Sequence, residues 1–306
     1  MAAEKLYGGI EAGGTKFVCC VASGPDNVVE EIRFATTTPD ETLRKSMQFF
    51  ERYISTGQIK TIGVGCFGPL DLNPQSPTYG FITATPKPHW SNADVRGALQ
   101  RGLHVNIAFD MDVNAAAVGE YIWGASRGCD PSLYLTIGTG IGGGYIKDGK
   151  PLIGLLNLEM GHIRIPHNRE LDPFEGSCPF HGVCFEGLAS GPAIEKRLGK
   201  AGAMIPEHDP FWNLEADYIA SALMNYILTV SPKKIILGGG VMQREFLFPK
   251  VRRKVRELLN GYVSSKILLE NTDQYIIPPG LGNQSGSIGA ITLAMQLEAS
   301  MNDPRL

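Results

Sequence analysis

Leu6-Tyr7-Gly8-Gly9-Ile10-Glu11-Ala12-Gly13-Gly14-Thr15-Lys16-Phe17-Val18-Cys19-Cys20-Val21-Ala22-Ser23 reads as two short apolar strands joined by a glycine tip. The pattern returns at Leu133-Tyr134-Leu135-Thr136-Ile137-Gly138-Thr139-Gly140-Ile141-Gly142-Gly143-Gly144-Tyr145-Ile146-Lys147, followed by an Asp148-Gly149 turn. Glycine lets backbone N–H groups close on an anion, and Thr and Lys add a hydroxyl and a charge. Neither tip is a P-loop, which needs G-x-x-x-x-G-K-[ST] ahead of a helix. Either one alone is as well read as an ordinary hairpin. Together, one opening each half of the chain, they point to an internal duplication and two similar lobes around a cleft.

Working outward, each hairpin is followed by strands and then helices. A third strand is expected over 28–37. Thr38-Pro39-Asp40-Glu41 has the form of a capping box with Pro at the first helical position, opening a helix to about Ser55. Lys60–Cys66 is a buried strand leading into a Pro-rich loop that ends at Trp90 and is expected to wall a substrate site. Ser91-Asn92-Ala93-Asp94 is a second capping box, opening a helix to about Arg101. A strand over 104–112 precedes a helix over 114–123. On a strand Asp110 and Asp112 would share a face. Asp112 would stand at the strand's carboxyl end, where ligands of open α/β sheets gather and where a helix N-terminus favours a charged carboxylate. A plain helix cap is the competing reading, evenly weighted for Asn114. Later come helices over 188–200, 214–230 and 244–260 and a strand over 234–237. That strand ends in Gly238-Gly239-Gly240-Val241-Met242, where backbone can approach a flat ligand or a phosphate. A last strand is expected over 275–277. The small residues of 280–289 suit a hinge or close helix packing, and the tail 301–306 is expected to fray.

Glu159–Glu186 carries the clearest chemistry. Cys178-Pro179-Phe180-His181-Gly182-Val183-Cys184 places three soft or borderline ligands within seven residues, in a chain with six Cys and six His. Structural zinc takes sulfur and imidazole at four tetrahedral corners, all filled by protein. The fourth corner falls to His162 rather than His167, because His162 adjoins the apolar Ile163 and Ile165. Zinc here would pin an irregular loop bracketed by Glu159 and Glu186, a suitable place for a polyhydroxylated substrate.

The 306 residues can bury one large or two modest cores, and the net charge of −3 gives no ground for nucleic acid or an anionic membrane as partner. No apolar run reaches the roughly 20 residues of a membrane span. Met1–Lys5 runs straight into strand pattern, so no signal peptide is expected. The remaining cysteines lack framework spacing, which fits reduced thiols in a cytoplasm.

Glycine cradles with one positioned carboxylate suit phosphoryl transfer to a hydroxyl, where protein positions reactants and neutralises charge. On Ile10–Lys16, Ile137–Gly144, Asp112-Val113-Asn114-Ala115-Ala116, Glu159-x-Gly-His162 and Leu237–Met242, the chain resembles the ROK family of sugar kinases within the actin-like ATPase superfamily. The likeness is greatest to the family's bacterial fructokinase branch. The resemblance implies an α/β fold of two actin-like, ribonuclease H-like lobes: 1–112, with a C-terminal helix of about 288–300 packing back on it, and 113–287 with the zinc loop. It implies Asp112 as the base on a hexose primary hydroxyl. Gly68, Asn114, Glu159, His162 and Glu186 would hold the sugar. Gly13, Gly14, Thr15, Lys16, Thr139 and Gly140 would hold the phosphates of ATP with Mg²⁺. Pro192, Gly238, Gly239, Gly240, Val241 and Met242 would line the adenosine. His162, Cys178, His181 and Cys184 would hold Zn²⁺, and a homodimer is expected. Glu11 stands where the family usually has Asp. Met111 stands where glucose-type members carry Asn, which favours fructose over glucose. Mannose- or glucose-type kinases are the alternatives, and a sugar-responsive regulator is a third. Regulators of the family carry an added N-terminal helix-turn-helix, for which the residues before Leu6 leave no room.

Overall fold

The structure is a computed structural model and describes residues 5–302. The described residues form two compact units, one of 5–124, 150–157 and 284–302, the other of 125–149 and 158–283.

In the first unit, β1 (Leu6–Ala12), β2 (Lys16–Gly24), β3 (Asn27–Ala35), β4 (Ile59–Cys66) and β5 (Asn106–Met111) make a sheet ordered β3-β2-β1-β4-β5. The β1–β2 hairpin is antiparallel, while β4 and β5 join in parallel. Ala12 pairs with Cys66 and Cys66 with Met111, so three strand ends finish in one row. β4 is almost wholly buried and apolar, as a central parallel strand covered on both faces must be. Helix α1 (Pro39–Ser55) begins with Pro, as the sequence suggests, but Thr38 makes no side-chain cap. The first turn reaches back instead: Thr37 N–H donates to Thr42 Oγ1 at 3.0 Å and the Thr37 hydroxyl to Glu41 at 2.7 Å. Helix α2 (Val95–Leu103) starts later than the expected box, because Asp94 is itself the cap and accepts from Gly97 N at 2.8 Å. His104 closes α2 in the left-handed region, φ 55°, so the strand expected from residue 104 starts at Asn106. Helix α3 (Asp112–Ile122) starts at Asp112, so strand alternation does not carry through from Asp110. The core gathers Phe17, Phe50, Ile62, Val64, Trp90 and Leu99.

The second unit repeats the plan. β6 (Ser132–Ile137) and β7 (Ile141–Lys147) form the antiparallel hairpin, and β8 (Lys150–Pro151) follows the Asp148-Gly149 turn. Helices α4 (Phe185–Ala189) and α5 (Gly191–Leu198) replace the single helix expected from 188. Ser190 breaks the run by capping α5, accepting from Ala193 N at 3.3 Å. Helix α6 (Phe211–Thr229) precedes β9 (Lys234–Gly238), which joins β6 in parallel. Helix α7 (Leu247–Leu259) and two single-turn helices, α8 (Lys266–Leu269) and α9 (Thr272–Tyr275), lead to β10 (Ile276–Ile277). The order β10-β9-β6-β7 matches β5-β4-β1-β2, so the duplication is visible in strand order.

Helix α10 (Ser285–Asn302) ends the described chain and belongs to the first unit. Met301 and Asn302 of the expected frayed tail are helical; 303–306, like Met1–Glu4, lie outside the described residues. The units part at Gly124, where the sequence reading divides the lobes at 112, because α3 packs on α10 and β4.

Candidate functional site

Three strand ends frame the candidate groups of the first unit. Gly13 N donates to Lys16 O at 3.0 Å, closing the β1–β2 tip, and Thr36 Oγ1 holds Gly13 O at 2.7 Å. Phe67 N donates to Ala12 O at 2.8 Å, which lays the loop after β4 beside that tip. Thr15 and Lys16 are exposed there. Gly68 is small for a local reason: a Cβ would stand 2.8 Å from the Met111 thioether. Asp112 occupies the first turn of α3, and its Oδ1 accepts from Val113 N at 2.8 Å. Helix N-terminal partial charge favours its ionised form. Gly65 allows this placement, since a Cβ would lie 3.2 Å from Asp112 Cα. Asn114 is no cap. It is buried, and its Nδ2 donates to Asp110 Oδ1 at 2.7 Å and Asn157 Oδ1 at 3.2 Å. Burial pushes the Asp110 carboxyl above its ordinary value, against the pull of the Asn114 and Met111 hydrogen bonds. Burial likewise raises Glu11, with Lys16 and Arg33 opposing; its carboxylate lies against Gly286, where a Cβ would be 2.5 Å from Cδ.

In the second unit the expected nucleotide segments converge on the end of β6. Gly138 N donates to Gly140 O at 2.9 Å across the tip, and Gly191 N, opening α5 just before Pro192, donates to Gly138 O at 2.8 Å. Val241 N donates to Ile137 O at 2.9 Å. Gly239 has φ 87°, and any Cβ would stand 2.5 Å from the Ile137 backbone. Only glycine suits both demands. Thr139, Pro192 and Gly240 are exposed around this point, while Gly238, Val241 and Met242 are buried.

The Glu159–His162 segment is set by glycine too: a Cβ on Gly161 would be 1.9 Å from Ile141 O, so the turn lies directly on β7. Tyr226 hydroxyl anchors it by donating to Met160 O. Glu159 is exposed. Partial loss of water raises its pKa, opposed by His162 and reinforced by Glu186. Glu186 Oε2 accepts from Ile141 N at 2.9 Å, so one of its oxygens serves the hairpin.

His162, Cys178, His181 and Cys184 come together, with their ligand atoms all within 4.8 Å of one another. Zn–S near 2.3 Å and Zn–N near 2.0–2.1 Å at tetrahedral angles would set S and N about 3.6 Å apart. His162 Nδ1 lies 3.6 Å from Cys184 Sγ and 3.8 Å from Cys178 Sγ; His181 Nδ1 lies 3.8 Å from Cys178 Sγ. The donor set fits a zinc ion. Cys184 also accepts from Gly187 N at 3.4 Å at the start of α4. His167 points elsewhere: its Nε2 is 2.9 Å from Asp172 O.

Sequence reasoning missed Asn157, the partner of Asn114. The available signal was one polar residue in the otherwise non-polar run 151–158.

Twin α/β units of one strand order, each with a glycine hairpin, make a duplicated α/β fold with a carboxylate at the row of strand ends in the first unit. The chain belongs to the ROK family, whose family model matches residues 7–297. It is 45% identical to a fructokinase of Pediococcus pentosaceus over 94% of this chain and 97% of the relative. A glucokinase of Thermotoga maritima is 26% identical over 81% of this chain and 86% of the relative. The solved structure of a ROK hexokinase from Thermus thermophilus superposes with a TM-score of 0.75 at 25% identity, covering 97% of this chain and all of that one. Among the described residues no helix is long and apolar enough to cross a membrane.

Proposed function

We propose that this enzyme transfers the γ-phosphoryl group of ATP to the primary hydroxyl of D-fructose, giving fructose 6-phosphate. The observation that carries the reading is Asp112 in the first turn of α3, at the row of strand ends shared by Gly68 and the Gly13–Lys16 tip. There Asp112 orients the attacking hydroxyl and accepts its proton. Gly68 and Asn114, with Glu159, His162 and Glu186, hold sugar hydroxyls. Glu186 has its second oxygen for this, the first being engaged by Ile141 N. Gly13, Gly14, Thr15 and Lys16, with Thr139 and Gly140, hold the phosphates through backbone N–H groups, hydroxyls and the Lys16 charge. Mg²⁺ carried with ATP supplies neutralisation of the β- and γ-oxygens. Pro192 and Gly238–Met242 line the adenosine. Their convergence on Ile137 and Gly138 supports this.

Fructose rather than glucose is favoured by the 45% identity to a fructokinase and by Met111. Its thioether covers Gly68 at the place where glucose-type members carry an amide. His162, Cys178, His181 and Cys184 hold a structural Zn²⁺. Thiolate ligation calls for a reducing compartment, which supports a cytoplasmic location. A homodimer is expected from the family.

A coupled assay with Mg²⁺ across fructose, mannose, glucose, N-acetylmannosamine and no sugar tests the reading. Fructose-dependent turnover is expected. Turnover with glucose in its place overturns the Met111 reasoning, and turnover with no sugar overturns the kinase.

A further inference from the structure

Pro151-Leu152-Ile153-Gly154-Leu155-Leu156-Asn157-Leu158 has one polar side chain, and it is the one turned to α3. Leu152, Ile153, Leu155 and Leu156 are exposed, so the segment lacks an apolar anchor of its own at these positions. Asn157 supplies a polar one by accepting from Asn114 Nδ2 at 3.2 Å. The second Asn114 hydrogen goes to Asp110 Oδ1 at 2.7 Å, and the same Asp110 oxygen takes Met111 N at 2.7 Å. Asp110 Oδ1 already takes Met111 N and accepts here as well, so Asn114 turns its nitrogen and not its oxygen toward Asp110. Two hydrogen bonds in different directions fix the amide plane, and with it the direction of Asn114 Oδ1. Asn114 lies two residues beyond Asp112 in the same helical turn.

We propose that Asn157 is a positioning residue for phosphoryl transfer. With Asp110 it locks the Asn114 amide, so that Asn114 Oδ1 is held ready for a sugar hydroxyl beside the Asp112 base. This deepens the kinase reading and rests on it. Asp110 alone would leave Asn114 free to turn about one bond, and small misplacement at a reacting centre costs catalysis disproportionately. A residue that only fastened its loop would lower the melting temperature along with any effect it had on the neighbouring sugar ligand Glu159.

The test compares Asn157→Leu, similar in size without an acceptor, with Asn157→Asp, which keeps an acceptor of the same reach. Both are assayed as full-length enzyme on fructose and on ATP. Asn157→Leu is expected to lower kcat/KM for fructose about tenfold or more. The KM for ATP should stay within about twofold and the melting temperature should be unchanged. Asn157→Asp is expected to recover most of the loss. Three results overturn the proposal: unchanged fructose kcat/KM in Asn157→Leu, a KM for ATP that rises as much as the KM for fructose, or an Asn157→Asp enzyme no better than Asn157→Leu. Failure of the parent reading is seen separately. A wild-type enzyme inert toward every sugar removes the kinase, and this inference with it, before any variant is compared. Activity on another hexose leaves the inference standing, to be read on that hexose.

Discussion

Asp112 is held by its own neighbours. Its Oδ1 takes Val113 N, the α3 N-terminus stabilises its charge, and Gly65 makes room for its backbone. Removing the charge therefore need not disturb the fold. Asp112→Asn is expected to lower kcat by roughly 10²–10⁴, the usual worth of a positioned general base. The fructose KM should move only a few-fold and the melting temperature little. Steady-state kinetics and a thermal melt on the same preparation check this, and wild-type turnover in the variant removes Asp112 from the chemistry. Asp112 was legible in sequence because a carboxylate at a strand end preceding a helix has a physical reason to be there. Its register was not. Strand and helix meet at Asp112, and whether the strand or the helix claims that residue is decided by how β5 pairs with β4 and not by local pattern.

Among the elements, the loop from Gly176 to Cys184 is the one that the proposed zinc would order. Gly176 and Gly182 both have positive φ, at 86° and 58°, and a Cβ on Gly176 would be 2.1 Å from Gly182 O. So tight a loop, with His181 and Phe180 exposed, has little apolar burial to order it. Zinc ligation can contribute about 10–16 kcal/mol of apparent folding free energy in small domains. Chelation, or Cys184→Ser, is expected to remove the bound metal and lower the melting temperature; a metal-free preparation that melts as wild type refutes the zinc assignment. A neighbouring element is tied by charge. Arg197 of α5 donates to both Asp172 oxygens at 3.2 and 3.1 Å, and Tyr218 of α6 donates at 2.5 Å. Burial pushes the Asp172 carboxyl up, but Tyr218, Arg197 and Phe174 N outweigh it and leave its pKa below the ordinary value. A depressed carboxylate contributes stability that is complete above the unfolded pKa, about 3.9, and is lost as pH falls through the folded one. Asp172→Asn should therefore lower the melting temperature at pH 7 and flatten its fall between about pH 5 and pH 3, as a melt series across pH will show. Hairpins, the gathering of His162, Cys178, His181 and Cys184, and glycine runs could be read ahead because each imposes residue types at fixed spacing. The Asp172–Arg197–Tyr218 cluster, the Ser190 break and the Asn114–Asn157 bond could not, because each joins residues whose only relation is tertiary.

For the whole molecule, chain order matters as much as residue pattern. The unit that carries Asp112 is assembled from both ends of the chain, because α10 returns to lie on α3 and β4. That return depends on glycine. A Cβ at Gly289 would stand 2.0 Å from Ala115 O, one at Gly119 would stand 3.0 Å from the Gly289 backbone, and one at Gly63 would stand 1.9 Å from Ala290 O. Backbone cannot yield as a flexible side chain can, so a larger residue must move α10 away from α3. Trp123 Nε1, which donates to Thr292 Oγ1 at 2.9 Å, would lose its partner, and the apolar contact made by Ile291 would open. Overpacking of this kind typically costs about 1–3 kcal/mol and occasionally more. Gly289→Val is therefore expected to lower the melting temperature by several degrees. It should also lower kcat, because the contact opened is with α3, the helix whose first turn presents Asp112. Gly24→Ala is the matched control, since its Cβ would meet nothing within 4 Å, and it should leave both quantities unchanged. If Gly289→Val loses stability but keeps kcat, α10 supports the fold without fixing the base. If it keeps both, the close packing of α3 and α10 is not what holds the first unit together.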